Sequence, residues 1–289
     1  MSERIAVGVD GSEEALAAVD WGADEAALRD AELRLVFASR WEKHPNAVQP
    51  SAGDQQELAR RLLGEAEDRV RARHPGLAMA SETVEDAPAA ALLDAAAEAL
   101  LLVVGSQGLG AGGGFWTGSV AQAAVAEARG PVVLVRPAGA AAGDGQGQGQ
   151  EIVLGLDVRH PHEELLAFAF DSAVRRGAPL RIVHAWHFPA GIMHQSAEDG
   201  RDTGPQAERS AELAATVRPW RGRFPGVEVT EQVVAGRAGE HLTRAVSPAT
   251  GLLVVGKRAR RASVGPHIGS VTHAAIHHAA CPVAVVPHS

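Results

Sequence analysis

The chain has 289 residues, a length that suits two ordinary domains better than one. Hydrophobic residues make up 46% of it, which excludes a disordered tail, and aromatics only 4%, so the cores are built mainly from Ala, Val and Leu. A formal net charge of −8 excludes a general nucleic-acid binder, because phosphate backbones demand a positive face.

The charge is unevenly shared: residues 1–138 hold 12 Lys/Arg against 21 Asp/Glu, residues 139–289 hold 15 against 14. The two halves therefore present different surfaces. One cysteine, Cys281, rules out an internal disulfide and suits a reducing compartment. The opening residues lack the charged-then-apolar pattern of a signal peptide. No stretch approaches the ~20 apolar residues that span a bilayer, so a cytoplasmic protein with no membrane partner is expected.

In chain order, Ile5–Asp10 reads as a short apolar strand ending in Asp. Residues 13–29 are Ala-rich with Leu16, Val19, Ala23 and Ala27 on one face, which predicts a helix. Leu33–Val36 predicts a second strand, Gln55–Arg73 a second helix, and Pro88 the start of a third. Leu101–Gly105 is another apolar strand, Ser119–Ala128 a fourth helix, and Val132–Val135 a last strand. Ala138–Gln150 has no large apolar side chain and reads as a flexible linker.

The pattern then repeats. Ile152–Asp157 matches Ile5–Asp10, and Asp10 to Val36 and Asp157 to Val183 are both 26 residues apart. Leu252–Gly256, Gly269–Ser270 and Pro282–Val286 match Leu101–Gly105, Gly118–Ser119 and Pro131–Val135 at one offset of 151. The expected organisation is a domain over 1–138, a linker over 139–150 and a second domain over 151–289. Each copy reads β-α-β-α-β-α-β-α-β. Apolar runs without alternation mark parallel strands covered on both faces. Right-handed crossovers give an α/β fold of two tandem doubly wound five-stranded parallel sheets, Rossmann-like, in strand order 3-2-1-4-5.

Ligands of such sheets sit beyond the carboxyl ends of the strands, where strand order reverses. Asp10 and Gly105 both lead into loops at that edge. The segment Gly105 to Ser119 holds glycines at 105, 108, 110, 112, 113, 114 and 118 and then enters a helix. Glycines let backbone N–H groups approach an anion, and a helix start supplies unpaired N–H groups and a favourable dipole.

The spacing Gly105-x2-Gly108-x9-Gly118-Ser119 resembles the phosphate-binding signature of the ATP-binding universal stress proteins, and residues 7–12 (Val-Gly-Val-Asp-Gly-Ser) are similar to that family's first-strand motif. The resemblance covers nearly the whole chain apart from the linker. It implies that Asp10 and the backbone around Val36 face adenine and ribose, and that Gly105, Gly108, Gly118, Ser119 and Val120 surround ribose and phosphates. The matching positions of the second copy are Asp157, Val183, Gly256, Gly269 and Ser270. The implied ligand is ATP or another adenine nucleotide, with or without magnesium. The implied assembly pairs the two domains as an internal pseudo-dimer, with a further homodimer left open.

The second copy departs from the pattern. Ala259 stands where the second glycine belongs, and Val158-Arg159 follow Asp157 in place of Gly-Ser. Weaker nucleotide binding is expected there, with Lys257, Arg258, Arg260 and Arg261 as partial compensation by charge. Each feature also has a plainer explanation. Asp10 is a good residue for capping the next helix. Phe115 and Trp116 suit packing better than covering a ligand. His273 and His277 have metal-ligand spacing but no acidic partner, so a solvated or packed helix face is expected.

No Ser-His-Asp set and no Gly-x4-Gly-Lys-Ser/Thr loop is present, and no base to activate water stands out, so slow ATP hydrolysis at most is expected. Three functions remain. The first is a ligand-responsive binding protein of stress adaptation, where the link to stress comes only from the resemblance. The second is an interaction scaffold that takes no nucleotide, and the third is a weak hydrolase on the same fold.

Overall fold

The computed structural model describes residues 3–39, 51–106, 118–137, 150–186, 204–258 and 268–289. Gly108, the 110–114 glycine run, Phe115, Trp116, the 139–149 stretch of the linker, Ala259, Arg260 and Arg261 lie outside these residues. The chain forms two compact units, divided between the fifth and sixth strands.

The first unit runs β1 (Arg4–Gly8), α1 (Glu13–Arg29), β2 (Glu32–Ala38), α2 (Ala52–Arg73), β3 (Met79–Val84), α3 (Pro88–Ala97), β4 (Leu101–Gly105), α4 (Ser119–Glu127) and β5 (Val132–Val135). Its strands are all parallel, in the order β3-β2-β1-β4-β5. The second unit runs β6 (Ile152–Gly155), α5 (Glu163–Arg176), β7 (Leu180–Trp186), α6 (Gly204–Arg223), β8 (Val229–Ala235), α7 (Ala238–Ala245), β9 (Leu252–Arg258), α8 (Ser270–His278) and β10 (Val283–His288). Its parallel order, β8-β7-β6-β9-β10, repeats that of the first. The doubly wound fold is therefore present twice, with strand order reversing between β1 and β4 and between β6 and β9.

Burial explains the unbroken apolar runs. Ile5, Ala6, Val7, Leu33, Leu35, Leu102 and Val103 are fully buried, as are Ile152, Leu154, Leu180, Ile182, Leu252 and Val254. Helices on both faces remove these strands from water, at roughly 25 cal/mol per Å² of apolar surface.

Helix α2 begins three residues before the start expected from periodicity. Ser51 and Asp54 form a capping box: the Asp54 N–H donates to the Ser51 hydroxyl (3.2 Å), and the Ser51 N–H donates to the Asp54 carboxylate (3.2 Å). Two orphan donors are thereby satisfied, and the helix extends back to them. Helix α1 ends on Asp30 and α5 on Gly177, both in left-handed conformation (φ 52° and 58°).

The two units lock their first two helices differently. Arg69 and Arg73 of α2 each make two hydrogen bonds of 2.6–2.7 Å to Asp20 and Asp24 of α1. The corresponding helices of the second unit meet through stacked rings, with Phe170 at 5.7 Å from Trp220 and 5.4 Å from Phe224.

Candidate functional site

The loop after β1 is built around Asp10. Ser12 donates both its N–H (2.9 Å) and its hydroxyl (2.6 Å) to Oδ1 of Asp10, and its own oxygen accepts the Ala15 N–H (3.1 Å). Ser12, not Asp10, is thus the cap of α1, and Asp10 holds the cap in place. Both bonds fall on one oxygen, and Oδ2 of this exposed carboxylate has no partner among the described residues. Gly11 between them has φ 83°, and a Cβ there would meet Leu62 at 2.7 Å, so the turn requires glycine twice over.

Gly105 ends β4 beside β1. A Cβ at this position would lie 2.5 Å from the backbone carbon of Glu14 and 2.7 Å from the nitrogen of Ala15. The first turn of α1 therefore rests directly on Gly105, which joins Asp10, Ser12 and Gly105 into one contiguous surface. Ser106 follows, buried, its N–H bonded to the Val135 carbonyl (2.8 Å) and its hydroxyl without a partner among the described residues. Ser12 belongs to the 7–12 motif that carried the family resemblance, although its capping role was not expected, and Ser106 was not singled out in the sequence.

Gly118 caps α4 with no side-chain bond, and Ser119 and Val120 are its first two helical residues. The first helical bond joins the Gln122 N–H to the Gly118 carbonyl (3.1 Å), so the N–H groups of Ser119, Val120 and Ala121 have no partner within the helix. Gly118 and Ser119 are exposed. Nothing among the described residues lies within 4 Å of where a Gly118 Cβ would stand, and its backbone conformation (φ −52°, ψ 145°) suits any residue. Because β4 and β5 are parallel, α4 starts at the same edge as the Asp10 loop.

The two helix starts differ in charge. Glu13 and Glu14 occupy the first turn of α1, whereas the first turn of α4 carries no acid. An anion is therefore repelled at α1 and attracted at α4. Val36 lies inside β2, its side chain buried and its carbonyl accepting the Val9 N–H (2.9 Å). It forms wall rather than a free hydrogen-bonding edge. Val183 is placed identically, its carbonyl accepting the Leu156 N–H (3.0 Å).

The second copy is arranged otherwise. Asp157 accepts the Arg159 N–H (3.1 Å) and faces the His160 ring (3.4 Å). Burial raises its pKa, but the Arg159 N–H, the His160 ring and the Arg159 charge outweigh burial and leave it below the ordinary value. Val158 is buried and not left-handed, so the tight turn of Gly11 is absent. Helix α5 starts six residues after Asp157, where α1 starts three after Asp10, and its cap residue His162 makes no capping bond.

Gly256 faces side chains rather than helix backbone: a Cβ there would meet Cδ2 and Nε2 of His288 at 2.9 Å and Cδ2 of Leu165 of α5 at 3.4 Å. His288 stacks on His162 with centroids 3.6 Å apart. Thr272 of α8 donates to the Gly256 carbonyl (2.9 Å). Gly269 and Ser270 start α8 as Gly118 and Ser119 start α4, exposed and without a side-chain cap. His273 and His277 lie with ring centroids 4.2 Å apart, and among the described residues no group of three or more His, Cys, Asp or Glu is placed to hold a metal.

Fold and site together define a tandem pair of doubly wound α/β domains, the first with an acid-free helix start at the same edge as an Asp-Gly-Ser turn. The family model for the universal stress protein family matches residues 1–136 and again 150–287. The chain belongs to the universal stress protein family. A universal stress protein of Mycolicibacterium smegmatis is 33% identical, over 98% of this chain and 96% of that protein. One from Mycobacterium tuberculosis is 32% identical over 99% and 97%. The crystal structure of a universal stress protein from Archaeoglobus fulgidus shares the fold, with a TM-score of 0.71 at 17% identity and full coverage of both chains. Among the described residues no helix is long and apolar enough to cross a membrane.

Proposed function

We propose that the first unit binds an adenine nucleotide, with base and ribose beside Asp10 and phosphates on the start of α4, and that the protein acts through this ligand in stress adaptation. The observation that carries the reading is the division of labour between the two helix starts at the switch point. One is capped and acidic and offers a carboxylate oxygen. The other is uncapped and acid-free, and is reached through a glycine that no contact among the described residues requires. Magnesium would offset the charge of a triphosphate in a unit that is itself acidic. The groups at this crevice suit binding and positioning, so any turnover is slow.

The test is calorimetry of the full chain against ATP, ADP and AMP, together with mass analysis of small molecules released from the purified protein. One adenine-nucleotide site per chain is expected. No binding of any of the three would leave the scaffold reading in its place.

The same reading has the two copies paired as an internal pseudo-dimer. Strands β5 and β10 each stand last in their own unit's order and are apolar, a pattern that calls for a partner strand. A linker of 13 residues extends to about 43 Å, enough to pass between domains of about 14 Å radius of gyration. With Cys281 replaced by Ala and one cysteine placed in each strand, a crosslink within one chain is expected. Crosslinks between chains would indicate a homodimer of the copies, and none at all would overturn the pairing.

A further inference from the structure

The end of β4 carries a polar side chain that the fold does not use. Ser106 is 2% exposed, and its hydroxyl has no hydrogen-bond partner among the described residues. Such a group costs stability, because it loses its bonds to water and gains none. The other buried hydroxyl in that state, Ser172, lies in the third turn of α5, whereas Ser106 stands at the carboxyl edge of its sheet. Its direction follows from the strand, along which side chains alternate between faces. Gly105 faces the first turn of α1, and Ser106 is still held to β5 by the bond from its N–H to Val135 (2.8 Å), so its side chain turns to the opposite face. That is the face of α3 and α4: a Cβ on Gly8 would meet Leu92 of α3, and α3 packs against α4. In the second unit the bond from Thr272 to the Gly256 carbonyl brings the first turn of the fourth helix onto this strand end. Ala121, the match of Thr272 in α4, is likewise buried.

The first turn of α4 has no acid, and the N–H groups of Ser119, Val120 and Ala121 have no partner within the helix. The Ser106 hydroxyl adds a fourth donor on the same side of the sheet, and a set of donors of this kind suits an anionic oxygen. The second unit keeps that character. Lys257, 151 residues further on, is also buried and is also a donor. Two residues earlier on the same face both copies have an apolar residue, Val104 and Val255, so packing alone does not call for a donor at the next position. We propose that Ser106 is a ligand-binding residue of the first unit, its hydroxyl donating to a phosphate oxygen of the nucleotide seated on the start of α4. That the phosphate belongs to a nucleotide rests on the function proposed above, while the unused donor does not. Binding supplies the acceptor that the fold omits, and no bond within the protein has to break first.

The experiment compares the full chain with Ser106→Ala, which removes the hydroxyl, and Ser106→Cys, which keeps the size but donates weakly. In urea melts without ligand, Ser106→Ala is expected to have a midpoint equal to or above the parent's, because it removes an unpaired polar group. A clearly lower midpoint would mean that the hydroxyl serves the fold, and overturns the proposal. Calorimetry with ATP is expected to show affinity lower by roughly 10- to 150-fold in Ser106→Ala, and lower in Ser106→Cys as well. A folded Ser106→Ala chain with the parent's ATP affinity overturns the proposal. Sodium tripolyphosphate, which has the phosphates without the nucleoside, is expected to raise the parent's midpoint more than that of Ser106→Ala. If no chain binds ATP, the nucleotide reading fails on its own and tripolyphosphate decides: a rise confined to the parent upholds the phosphate contact, and no rise, or an equal one in both, overturns it.

Discussion

Ser12 gives both its hydroxyl and its backbone N–H to a single carboxylate oxygen of Asp10, at 2.6 and 2.9 Å, and then caps α1 with the same hydroxyl oxygen. Asp10 therefore serves the fold through Oδ1 and is available to a ligand through Oδ2, and two substitutions separate these roles. Ser12→Ala removes the cap and is expected to cost about 0.5–2 kcal/mol of stability while lowering ATP affinity less than about tenfold. Asp10→Ala removes a charge-assisted contact worth about 1.5–3 kcal/mol, or roughly 10- to 150-fold in affinity. Denaturant melts and calorimetry on the same preparations check both. Equal affinity losses in the two variants would place Asp10 in the fold alone.

The glycines make a second pair of expectations. Gly105→Ala drives a Cβ into the backbone of α1 and should destabilise the first unit by at least about 1–3 kcal/mol, because a helix start cannot yield as a side chain can. Gly118→Thr meets no described residue within 4 Å, in a conformation Thr adopts, and Thr is an acceptable cap, so stability should hold within about 0.5 kcal/mol. Its branched side chain nevertheless stands where phosphate would approach, and ATP affinity should fall at least about tenfold. Gly269→Thr, the same change in the second unit, which departs from the glycine pattern at Ala259, should leave ATP binding as it was. An affinity loss from Gly269→Thr equal to that from Gly118→Thr would show that the copies are equivalent.

His288 sets a pH dependence. Burial, and then the neighbouring His162, hold its pKa below the ordinary 6.5; Arg258 from β9 adds to this, and Glu164 from α5 opposes it. Between the lowered folded value and 6.5 the unfolded chain binds more protons, so stability rises with pH through that window and is lost as pH falls through it. The second unit should therefore lose stability from about pH 6.5 downward, and His288→Phe should remove that part of the loss. Thermal melts across this range, resolved by hydrogen exchange in β9 and β10, provide the readout. A His288→Phe chain with an unchanged pH profile would assign the loss to other groups.

The helix pairs should respond differently to salt. Asp24→Ala breaks the paired bonds from Arg73 and the contact with His74 (2.7 Å), and should cost about 1 kcal/mol, less at high salt. Phe170→Ala empties the centre of the ring stack in a fully buried position and should cost about 3–5 kcal/mol at any salt concentration. Urea melts in low and high salt measure both. A salt-sensitive Phe170→Ala penalty would contradict the packing account.

Most of the fold was legible because it is written in local periods. The apolar runs at 5–9, 101–104 and 132–135 and their images one repeat later could only be buried parallel strands, and the Ala-rich face of residues 13–29 only a packed helix. The capping box of Ser51 and Asp54 was also readable, since its spacing is local, yet periodicity alone placed the start of α2 too late. The candidate site was proposed from glycine spacing, of which Gly105 and Gly118 lie among the described residues and Gly108 does not. It was less legible where a residue works through another, as Ser12 does under Asp10.

What the sequence by itself determined is two copies of one doubly wound fold, a first copy with the full glycine signature, and a second copy that lacks it at Ala259 and Val158. Only the tertiary structure decided what each glycine faces. Gly105 and Gly256 are equivalent by offset, but one meets a helix start and the other an imidazole from the far end of β10. Contacts of that kind join residues more than a hundred positions apart, His162 with His288 among them, and no local pattern encodes them. They arise when a helix that starts one turn late leaves a space that close packing fills with whatever side chain the neighbouring strand presents.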